Sequence, residues 1–523
     1  MPDRDLKAEV SDLKFEISDS SRPGVLCYNQ AAVSSRCAIH ALVLLLSGLL
    51  SACNVALGPG YTVVKQQYDV TWTGTSELLI RATYRVKNTG KAPVEYIEAT
   101  LPDEARRSGL QVWVNGASVA VGAADESTPA GTVRIPISPV LRLKGKQDLV
   151  IEYRLSGAAD EGAATPSFYL ETLGWYPVLR KQEGLFGSGG DPPDKWDLRV
   201  TVPRDFLVHA AGIPKGKKRR RDVVEHHFRQ RPDRHTAPFV IAGRYTEQRA
   251  RTTGSEVILW TFQPLPDAAA SDIGNWIGRT ALEYEKAFGR MGEDESAAVR
   301  VAELPPRFTS HDITFADGEK VTVGHMDFIE ATFPGGVLLP TGRLARSADR
   351  PEGILRSLDE QLALSWFHHG VTAASDSRLL FYFGLPPYAA SIAAETRGDA
   401  ACRNALAASG LADYASLGGE ASEPRFFLND GAVSPERLAY ARSKAPLFFL
   451  ALEDHYGKDA ARRALARLAA SLRGRQFTTN DLRVAIQLET GQDPAEFFRQ
   501  WLNVTGIPEE FRKKYENQVS GSR

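Results

Sequence analysis

The apolar residues between Tyr61 and Tyr245 follow the spacing of β-strands. Short segments rich in Val, Ile, Thr and aromatic residues are separated by Gly, Pro, Asn and Asp. The clearest of them read YDVTWTG, ELLIRATYRVKNTG, VRIPISPVLRL, QDLVIEYRLSG, WDLRVTVP and PFVIAGRYTE. This pattern predicts a β-sandwich or a curved sheet with no long helix.

The pattern changes near residue 250. VILWTFQ is one more strand-like segment, and DIGNWIGRTALEYEKAFGRM then places apolar residues at helical spacing. Strand-like AVRVAEL and KVTVGHMDF follow, and most of the remaining chain is typical of helices. A helix is expected to begin at Ser434-Pro435 and end at Gly457, and another to begin with a capping box at Asp493, Pro494 and Glu496.

These patterns predict a multidomain α+β protein. We expect an N-terminal β-sandwich or saddle-shaped domain at 53–250, a mainly helical domain at 251–515 and a short tail at 516–523. Residues 1–52 are interpreted as a leader that contains a signal peptide.

The leader has the character of a bacterial lipoprotein signal. The run AIHALVLLLSGLLSAC follows Arg36, is too short for a comfortable membrane span, and ends in small residues before Cys53. Its LSAC ending resembles a lipobox, in which Cys53 would be lipidated and become the first residue of the mature chain. An uncleaved anchor and a buried helix are the alternatives. The polar residues 1–32 fit no signal peptide, so a start near Val33 is a further hypothesis.

Composition excludes some partners. Lys plus Arg is 63 and Asp plus Glu is 64, so no global charge would attract nucleic acid. The one dense basic run, Lys215–Asp222, is predicted to be a solvated hairpin tip, with contact to a polyanion as the minor alternative. The four cysteines have no metal-binding spacing.

Several scattered segments resemble the aminopeptidase N family of zinc metallopeptidases, the gluzincin aminopeptidases. They include WYPVLR, WDLRVTVP and PFVIAGRY in the β-region, ALEYEKAFG after it, and TTNDLRVAIQLETGQDPAEFFRQWLNVTGIP near the end. The resemblance covers about 61–508. It implies a saddle-shaped β-domain followed by a thermolysin-like domain that holds zinc.

In that family a helix carries His-Glu-x-x-His, because residues four apart share a helix face and two imidazoles can bind one zinc beside a general base. The corresponding stretch here is LDEQLALSWFHHGVT. Alignment by Trp366-Phe367 puts Glu360 and Leu364 at the His positions and Gln361 at the Glu. Leu364 cannot bind a metal, and the Gln361 amide cannot take a proton from water. A one-residue slip puts Asp359-Glu360 on His-Glu and leaves the second His position to Ala363.

The other functional positions that the resemblance implies are also replaced. Phe383, in LFYFGLPPY, stands at the third zinc ligand, a Glu, although Gly384 and Tyr388 are retained. Leu338, in FPGGVLLP, stands at the Glu that would bind the substrate amine. Alignment by Lys444 puts Arg442 at the Tyr that would support the oxyanion, with Tyr440 two residues away.

The replacements predict a pseudopeptidase without zinc. His368 and His369 are weak metal candidates, because adjacent helical residues point about 100° apart. An apolar groove for an extended peptide is predicted from eight residues. They are Phe333, Gly335, Gly336, Val337, Leu338, Trp366, Tyr388 and Tyr440.

The resulting functional hypothesis is a lipid-anchored envelope protein, on the periplasmic side of the outer membrane, that binds or scaffolds a peptide or protein. It would bind the bilayer through its acyl anchor and would bind no nucleic acid. The alternatives are a residual or rewired metallopeptidase and a structural subunit of an envelope assembly.

Overall fold

The computed structural model describes residues 60–520, with gaps. The gaps are 74–76, 103–108, 124–131, 157–165, 171–174, 180–194, 231–236, 253–254, 290–297, 305–309, 315–319, 325–331, 334–335, 341–343, 345–350, 365, 368–371, 375–376, 426–433 and 472–475. The chain divides into Met1–Leu57 and Gly58–Arg523, and every element below belongs to the second unit. The predicted leader and Cys53 lie outside the described residues.

The region before the first helix consists of strands. In chain order they are β1 (Tyr61–Trp72), β2 (Glu77–Asn88), β3 (Val94–Thr100), β4 (Gln111–Val114), β5 (Ala117–Val119), β6 (Gly122–Ala123), β7 (Thr132–Leu141), β8 (Lys146–Ser156), β9 (Ser167–Leu170), β10 (Val178–Leu179), β11 (Trp196–Pro203), β12 (Leu207–Ala210), β13 (Ile213–Arg219), β14 (Val223–Arg229), β15 (Val240–Gly243), β16 (Thr246–Arg251) and β17 (Glu256–Thr261).

The second half mixes helices with short strands. They are α1 (Asp267–Phe288), β18 (Val299–Leu304), β19 (Ser310–Thr314), β20 (Lys320–Gly324), β21 (Thr332–Phe333), β22 (Gly336–Pro340), α2 (Pro351–Leu364), β23 (Thr372–Ala373), α3 (Arg378–Thr396), α4 (Cys402–Ser416), α5 (Pro435–Tyr456), α6 (Lys458–Ser471), β24 (Gln476–Phe477), α7 (Thr479–Thr490), α8 (Ala495–Phe498) and α9 (Glu509–Ser520). A 3₁₀ turn covers Gly419–Ala421, and a π-helical turn covers Arg499–Asn503.

The N-terminal strands form a layered β-domain. An eight-stranded sheet has the order β13-β14-β11-β1-β2-β8-β4-β5, and two smaller sheets have the orders β10-β3-β7-β6 and β12-β15-β9. Alternate residues of β2 are buried, as expected for a strand with one face on a core. Tyr68 of the large sheet, Ile135 of the second and Phe168 of the third share one hydrophobic core. The predicted β-sandwich is confirmed.

A five-stranded sheet, ordered β16-β17-β18-β22-β21, joins the β-domain to the helices. Successive residues of β17 alternate between two cores. Val257 and Leu259 lie in the helical core, and Ile258 and Trp260 lie in the core of the β-domain. Strand residues alternate between faces, so each strand of this sheet can contribute to both cores. The predicted boundary at residue 250 stays a prediction, because the two cores meet at a shared sheet.

The helical region packs closely around α5. A Cβ atom built on Gly384 of α3 would lie 2.7 Å from the carbonyl oxygen of Ala445, and one on Gly410 of α4 would lie 2.9 Å from that of Ser443. Both carbonyls belong to α5, so the two glycines let α3 and α4 approach the same helix backbone. We call Gly384 and Gly410 the glycine contacts.

Some local predictions need correction. Ser434 caps α5 as expected, because its hydroxyl accepts a hydrogen bond from the Arg437 N–H at 3.2 Å. The helix predicted to begin at Asp493 does so, because the Asp493 carboxylate accepts a hydrogen bond from the Ala495 N–H at 3.0 Å. Glu496 pairs with Arg499, and the helix lasts only four residues before a π-helical turn. Most of the basic run, Lys215 to Arg219, lies in the exposed edge strand β13, and the turn of the hairpin follows it.

Gly384→Ala is expected to destabilise the protein by about 1–3 kcal/mol, because the added methyl group overlaps the α5 backbone and the ring of Phe449. Urea unfolding would measure the change in the free energy of unfolding. Gly122→Ala is the matched control, since its nearest neighbouring atom lies 4.0 Å from the new Cβ. Equal effects of the two substitutions would contradict a close contact at Gly384.

Candidate functional site

The helix that corresponds to the zinc-binding helix is α2, and Asp359 fixes its orientation. Asp359 is 1% exposed and accepts hydrogen bonds from the indole of Trp276 at 2.9 Å and the hydroxyl of Thr280 at 2.7 Å, both on α1. It also forms an ion pair with Arg397, the residue that follows α3. One buried carboxylate therefore connects α1, α2 and the end of α3.

Arg397 completes this cluster. Its guanidinium lies 4.0 Å from the centre of the Trp276 ring and donates a hydrogen bond to the Thr280 hydroxyl at 2.9 Å. Burial raises the pKa of the Asp359 carboxyl, and the nearby Arg397 opposes that shift. A buried carboxylate is destabilising if its hydrogen-bond donors move away. Rotation of α2 would separate Asp359 from its donors, so the cluster restricts that rotation. We call Asp359, Trp276, Thr280 and Arg397 the Asp359 cluster.

Three of the six positions where the resemblance implied functional residues are fully buried. Gln361 and Leu338 are each 1% exposed, and Leu364 is completely buried. Leu338 points from β22 into the core of the β-domain, whereas its neighbours Val337 and Leu339 point into the helical core. The Leu338 side chain therefore does not face the helices, and replacing it with Glu would not place a carboxylate on their side of the sheet.

The other three positions keep contact with solvent. Glu360 and Phe383 are partly exposed, and Arg442 is exposed. The Arg442 guanidinium carbon lies 5.6 Å from the centre of the Phe383 ring, within the range of a cation–π contact. The three positions at which the resemblance implied zinc and oxyanion chemistry, and which keep contact with solvent, are thus occupied by an acidic, an aromatic and a basic residue.

Glu360 has an unusual protonation equilibrium. Burial, with a smaller contribution from the nearby charge of Asp359, raises the pKa of Glu360 from 4.5 to about 7. The Glu360 carboxyl group is partly exposed. It can exchange a proton with solvent near neutral pH.

Gln361 has an unpaired acceptor. Its side-chain oxygen Oε1 is buried and has no hydrogen-bond partner among the described residues. Gln361 replaces the general base that the resemblance implied, and an amide oxygen does not take a proton at neutral pH. This position retains a hydrogen-bond acceptor and has lost the base.

The residues at the positions where the resemblance implied zinc ligands do not fit that metal. Zinc in proteins is bound by nitrogen, sulfur or carboxylate oxygen, and neither Leu364 nor Phe383 supplies such an atom. Within the described ranges, no group of three or more His, Cys, Asp or Glu side chains is placed to hold a metal ion. The weak candidates His368 and His369 lie outside the described residues.

Most of the residues predicted to line an open apolar groove are buried in the core. Val337, Leu338, Tyr388 and Tyr440 are each 1% exposed, and Trp366 is 3% exposed. These five side chains are core residues and do not line an open surface. Gly336 begins β22, the backbone of Phe333 belongs to β21, and Gly335 and the Phe333 side chain lie outside the described residues.

The aromatic groove candidates have structural hydrogen bonds instead. The Tyr388 hydroxyl donates to Glu453 at 2.7 Å, the Tyr440 hydroxyl donates to the carbonyl of Leu417 at 2.7 Å, and the Trp366 indole donates to the carbonyl of Gly289 at 2.9 Å. Each bond connects a helix to a neighbouring segment. Since buried polar groups are rarely left unpaired, these contacts explain the three residues without a ligand.

Sequence reasoning missed the Asp359 cluster. Its members are separated by up to 121 positions, from Trp276 to Arg397, and none belongs to a recognisable motif. Asp359 lies beside two other polar residues, Glu360 and Gln361, so the sequence contains no signal that this carboxylate is buried.

The fold resembles solved zinc metallopeptidases. An M1 zinc metallopeptidase point mutant from Deinococcus radiodurans, bound to a Tyr-Ser-Ala substrate, matches with a TM-score of 0.54 and 19% identity, over 86% of this chain and 95% of that one. A two-domain M1 zinc metallopeptidase mutant bound to L-tryptophan matches with a TM-score of 0.53 and 20% identity, over 87% and 97%. This chain has the two-domain M1 metallopeptidase fold. No protein-family model and no curated protein matches the sequence.

The M1 fold confirms the predicted α+β class, with an N-terminal β-domain followed by a mainly helical region. At 19–20% identity the similarity establishes the fold and not the chemistry. What the chain does must therefore be argued from its own residues.

Glu360→Gln is expected to stabilise the protein more at pH 8 than at pH 5. The unfolded chain ionises Glu360 near pH 4.5, whereas the folded chain holds the proton up to about pH 7. The free energy of unfolding therefore falls as the pH rises through this window, by up to about 3 kcal/mol, and a neutral glutamine avoids that loss. Denaturant unfolding at both pH values would measure the difference, and an equal effect at both would contradict the raised pKa.

Proposed function

We propose that this chain is a non-catalytic member of the M1 fold, a pseudopeptidase that binds or scaffolds a peptide or protein. The observation that carries the proposal is the replacement of zinc donors by Leu364, which is completely buried, and by Phe383. A single missing ligand could be supplied by a neighbour. Two hydrocarbon side chains at ligand positions leave too few donors for a closed zinc site.

The recognition surface that we propose consists of Glu360, Phe383 and Arg442. These residues retain exposure, and together they present a carboxyl group, an aromatic ring and a guanidinium. Peptides carry backbone groups and charged termini that such a surface can bind through hydrogen bonds and stacking. The predicted apolar groove contributes less than expected, because its described aromatic members are buried.

We also propose that the protein is an envelope lipoprotein, acylated at Cys53 and facing the periplasm from the outer membrane. The support is the apolar run that ends in LSAC, with Asn54 after the cysteine. Within the described part of the chain, no helix has the length and hydropathy needed to cross a bilayer.

Metal content tests the loss of zinc. We expect the chain, purified without chelators, to contain far less than one zinc ion per molecule and to show no chelator-sensitive peptidase activity. A variant that restores the family donors, Glu360→His, Gln361→Glu, Leu364→His and Phe383→Glu together, is expected to gain about one zinc ion per chain. Elemental analysis measures both. Near-stoichiometric zinc in the unmodified chain would contradict the proposal.

Acylation tests the anchor. We expect the mature chain to begin at Cys53 with attached acyl groups, and Cys53→Ser to release it from the membrane fraction. Mass spectrometry of the N-terminal peptide would identify the modification, and Cys27→Ser is the matched control. A mature chain that retains residues before Cys53 would rule out lipidation there.

The second candidate function is a rewired hydrolase. The specific observation in its favour is Glu360, a partly exposed carboxyl with a pKa of about 7, which suits a general acid or base. Peptide hydrolysis that survives chelation and is lost in Glu360→Gln would favour this candidate over the pseudopeptidase.

The third candidate is a structural subunit of an envelope assembly, with no ligand at the former zinc positions. Capture of one envelope partner that is unaffected by Glu360→Gln, Phe383→Ala and Arg442→Ala would favour it, because all three substitutions fall on the proposed recognition surface.

A further inference from the structure

Three segments meet at the end of the β-domain where the described chain begins. They are the start of β1 at Gly60–Lys65, the β2–β3 turn at Asn88–Pro93, and the turn between β7 and β8 at Val140–Lys146. We call this region the Asn88 corner. In the sequence it follows the segment that carries the proposed anchor at Cys53, and Gly60 is the seventh residue after that cysteine.

Asn88 holds the corner together. It is 1% exposed, and its side-chain amide donates hydrogen bonds to the carbonyls of Ala92 and Leu141, both at 2.9 Å. Its backbone N–H donates to the Gly145 carbonyl at 3.0 Å, and the neighbouring Thr89 N–H donates to the Gly60 carbonyl at 2.7 Å. The three segments therefore form one connected surface.

This surface exposes apolar side chains. Val64 is 45% exposed, Val140 is 42% exposed and Leu143 is 53% exposed. Val64 is the extra residue of a β-bulge, since Val63 pairs with Val86 and Lys65 pairs with Arg85. A bulge changes the direction in which a side chain points. Scattered exposed apolar residues are common, but these two valines and one leucine all belong to the Asn88 corner.

The same corner is strongly basic. Exposed or partly exposed cations surround the apolar residues, and they are Lys65, Lys87, Lys91, Arg142, Lys144 and Lys146. Of the nearby carboxylates, Asp148 pairs with Arg85 at 2.7 Å, Glu98, which is close enough to influence Tyr61, pairs with Arg134 at 3.3 Å, and Glu95 is exposed on β3. The local charge is therefore positive, in a chain whose net charge is −1.

We propose that the Asn88 corner is a membrane-docking surface that rests on anionic phospholipid headgroups. Short apolar side chains within a ring of lysines fit a bilayer interface, where the lysines contact headgroups and the apolar tips enter the acyl boundary. This inference rests on the proposed lipid anchor for its biological setting. An extended chain of seven residues reaches at most about 25 Å, so an acyl group at Cys53 would keep the corner within reach of the bilayer.

The basic run on β13 lies at the opposite end of the same sheet. Arg219 of β13 pairs with Val224 of β14, and the adjacent Val223 pairs with Pro203 of β11. Thr201, two residues before Pro203, pairs with Thr71 near the end of β1. Tyr61, at the other end of β1, belongs to the Asn88 corner. With the corner on the bilayer, the β13 run points away from it.

Vesicle co-sedimentation tests the docking surface. The full chain carrying Cys53→Ser, which cannot be acylated there, is mixed with vesicles of phosphatidylethanolamine containing about one-quarter phosphatidylglycerol, and with vesicles that lack the anionic lipid. Reversal of four corner charges, Lys65→Glu, Lys91→Glu, Arg142→Glu and Lys144→Glu, is expected to weaken binding to the anionic vesicles at least about tenfold. The matched control reverses three lysines and one arginine on β13, Lys215→Glu, Lys217→Glu, Lys218→Glu and Arg219→Glu, and is expected to weaken it less than about threefold.

All variants share the same leader, so a difference between them reports on the folded surface. Thermal unfolding of each variant confirms that it is folded, and Val64→Ser with Leu143→Ser provides a second variant without a charge change, expected to weaken binding about threefold or more. Equal losses in the corner and β13 variants, or binding that does not depend on phosphatidylglycerol, would overturn the proposal. Acylation of Cys53 is measured separately by mass spectrometry. A chain without an acyl group would contradict the proposed anchor, and the vesicle experiment would still decide whether the corner binds lipid.

Discussion

The structure depends on a sheet that is buried on both faces. In β17, β18 and β22, successive residues alternate between the core of the β-domain and the core of the helical region. Strands buried on both faces favour apolar residues, and EVILWT and GVLLP are nearly all apolar. The charged residues of β18 have partners: Glu303, 3% exposed, accepts a hydrogen bond from the Phe262 N–H at 3.0 Å, and Arg300 lies 5.0 Å from the centre of the Trp260 ring. The alternation of faces places Leu338 in the β-domain core, on the side of the sheet away from the helices.

Two buried carboxylates connect the helices of the second half. The Asp359 cluster holds α2 against α1 and the end of α3 through a buried carboxylate with three donors. A second buried carboxylate, Glu453 of α5, receives Tyr388, Arg403 and Arg462 from three different helices. Both arrangements position helices with charges that are fully paired, which is the condition for a buried ion to be tolerated. Outside these two arrangements, Glu360 and Phe383 are partly exposed and Arg442 is exposed.

The sequence predicted the parts of the fold that follow from local pattern. Alternation in β2 and helical spacing in α1 are visible without a structure. Sequence periodicity could not show whether the residues of the predicted groove are buried or exposed. Helix α3 is apolar on nearly all sides, so periodicity does not distinguish a core aromatic such as Tyr388 from a partly exposed one such as Phe383. The Asp359 cluster and the Asn88 corner were also out of reach, because both join residues that are distant in sequence through side-chain hydrogen bonds.

The glycine contact at Gly384 also links helix packing to the spacing of two solvent-accessible side chains. Gly384 directly follows Phe383, and a Cβ atom at this position would lie 2.7 Å from the Ala445 carbonyl oxygen and 2.6 Å from the Phe449 ring. The missing side chain therefore lets α3 lie directly on α5. Arg442 is also on α5, and its guanidinium carbon lies 5.6 Å from the centre of the Phe383 ring. A larger residue at position 384 would thus separate two side chains that it does not itself touch.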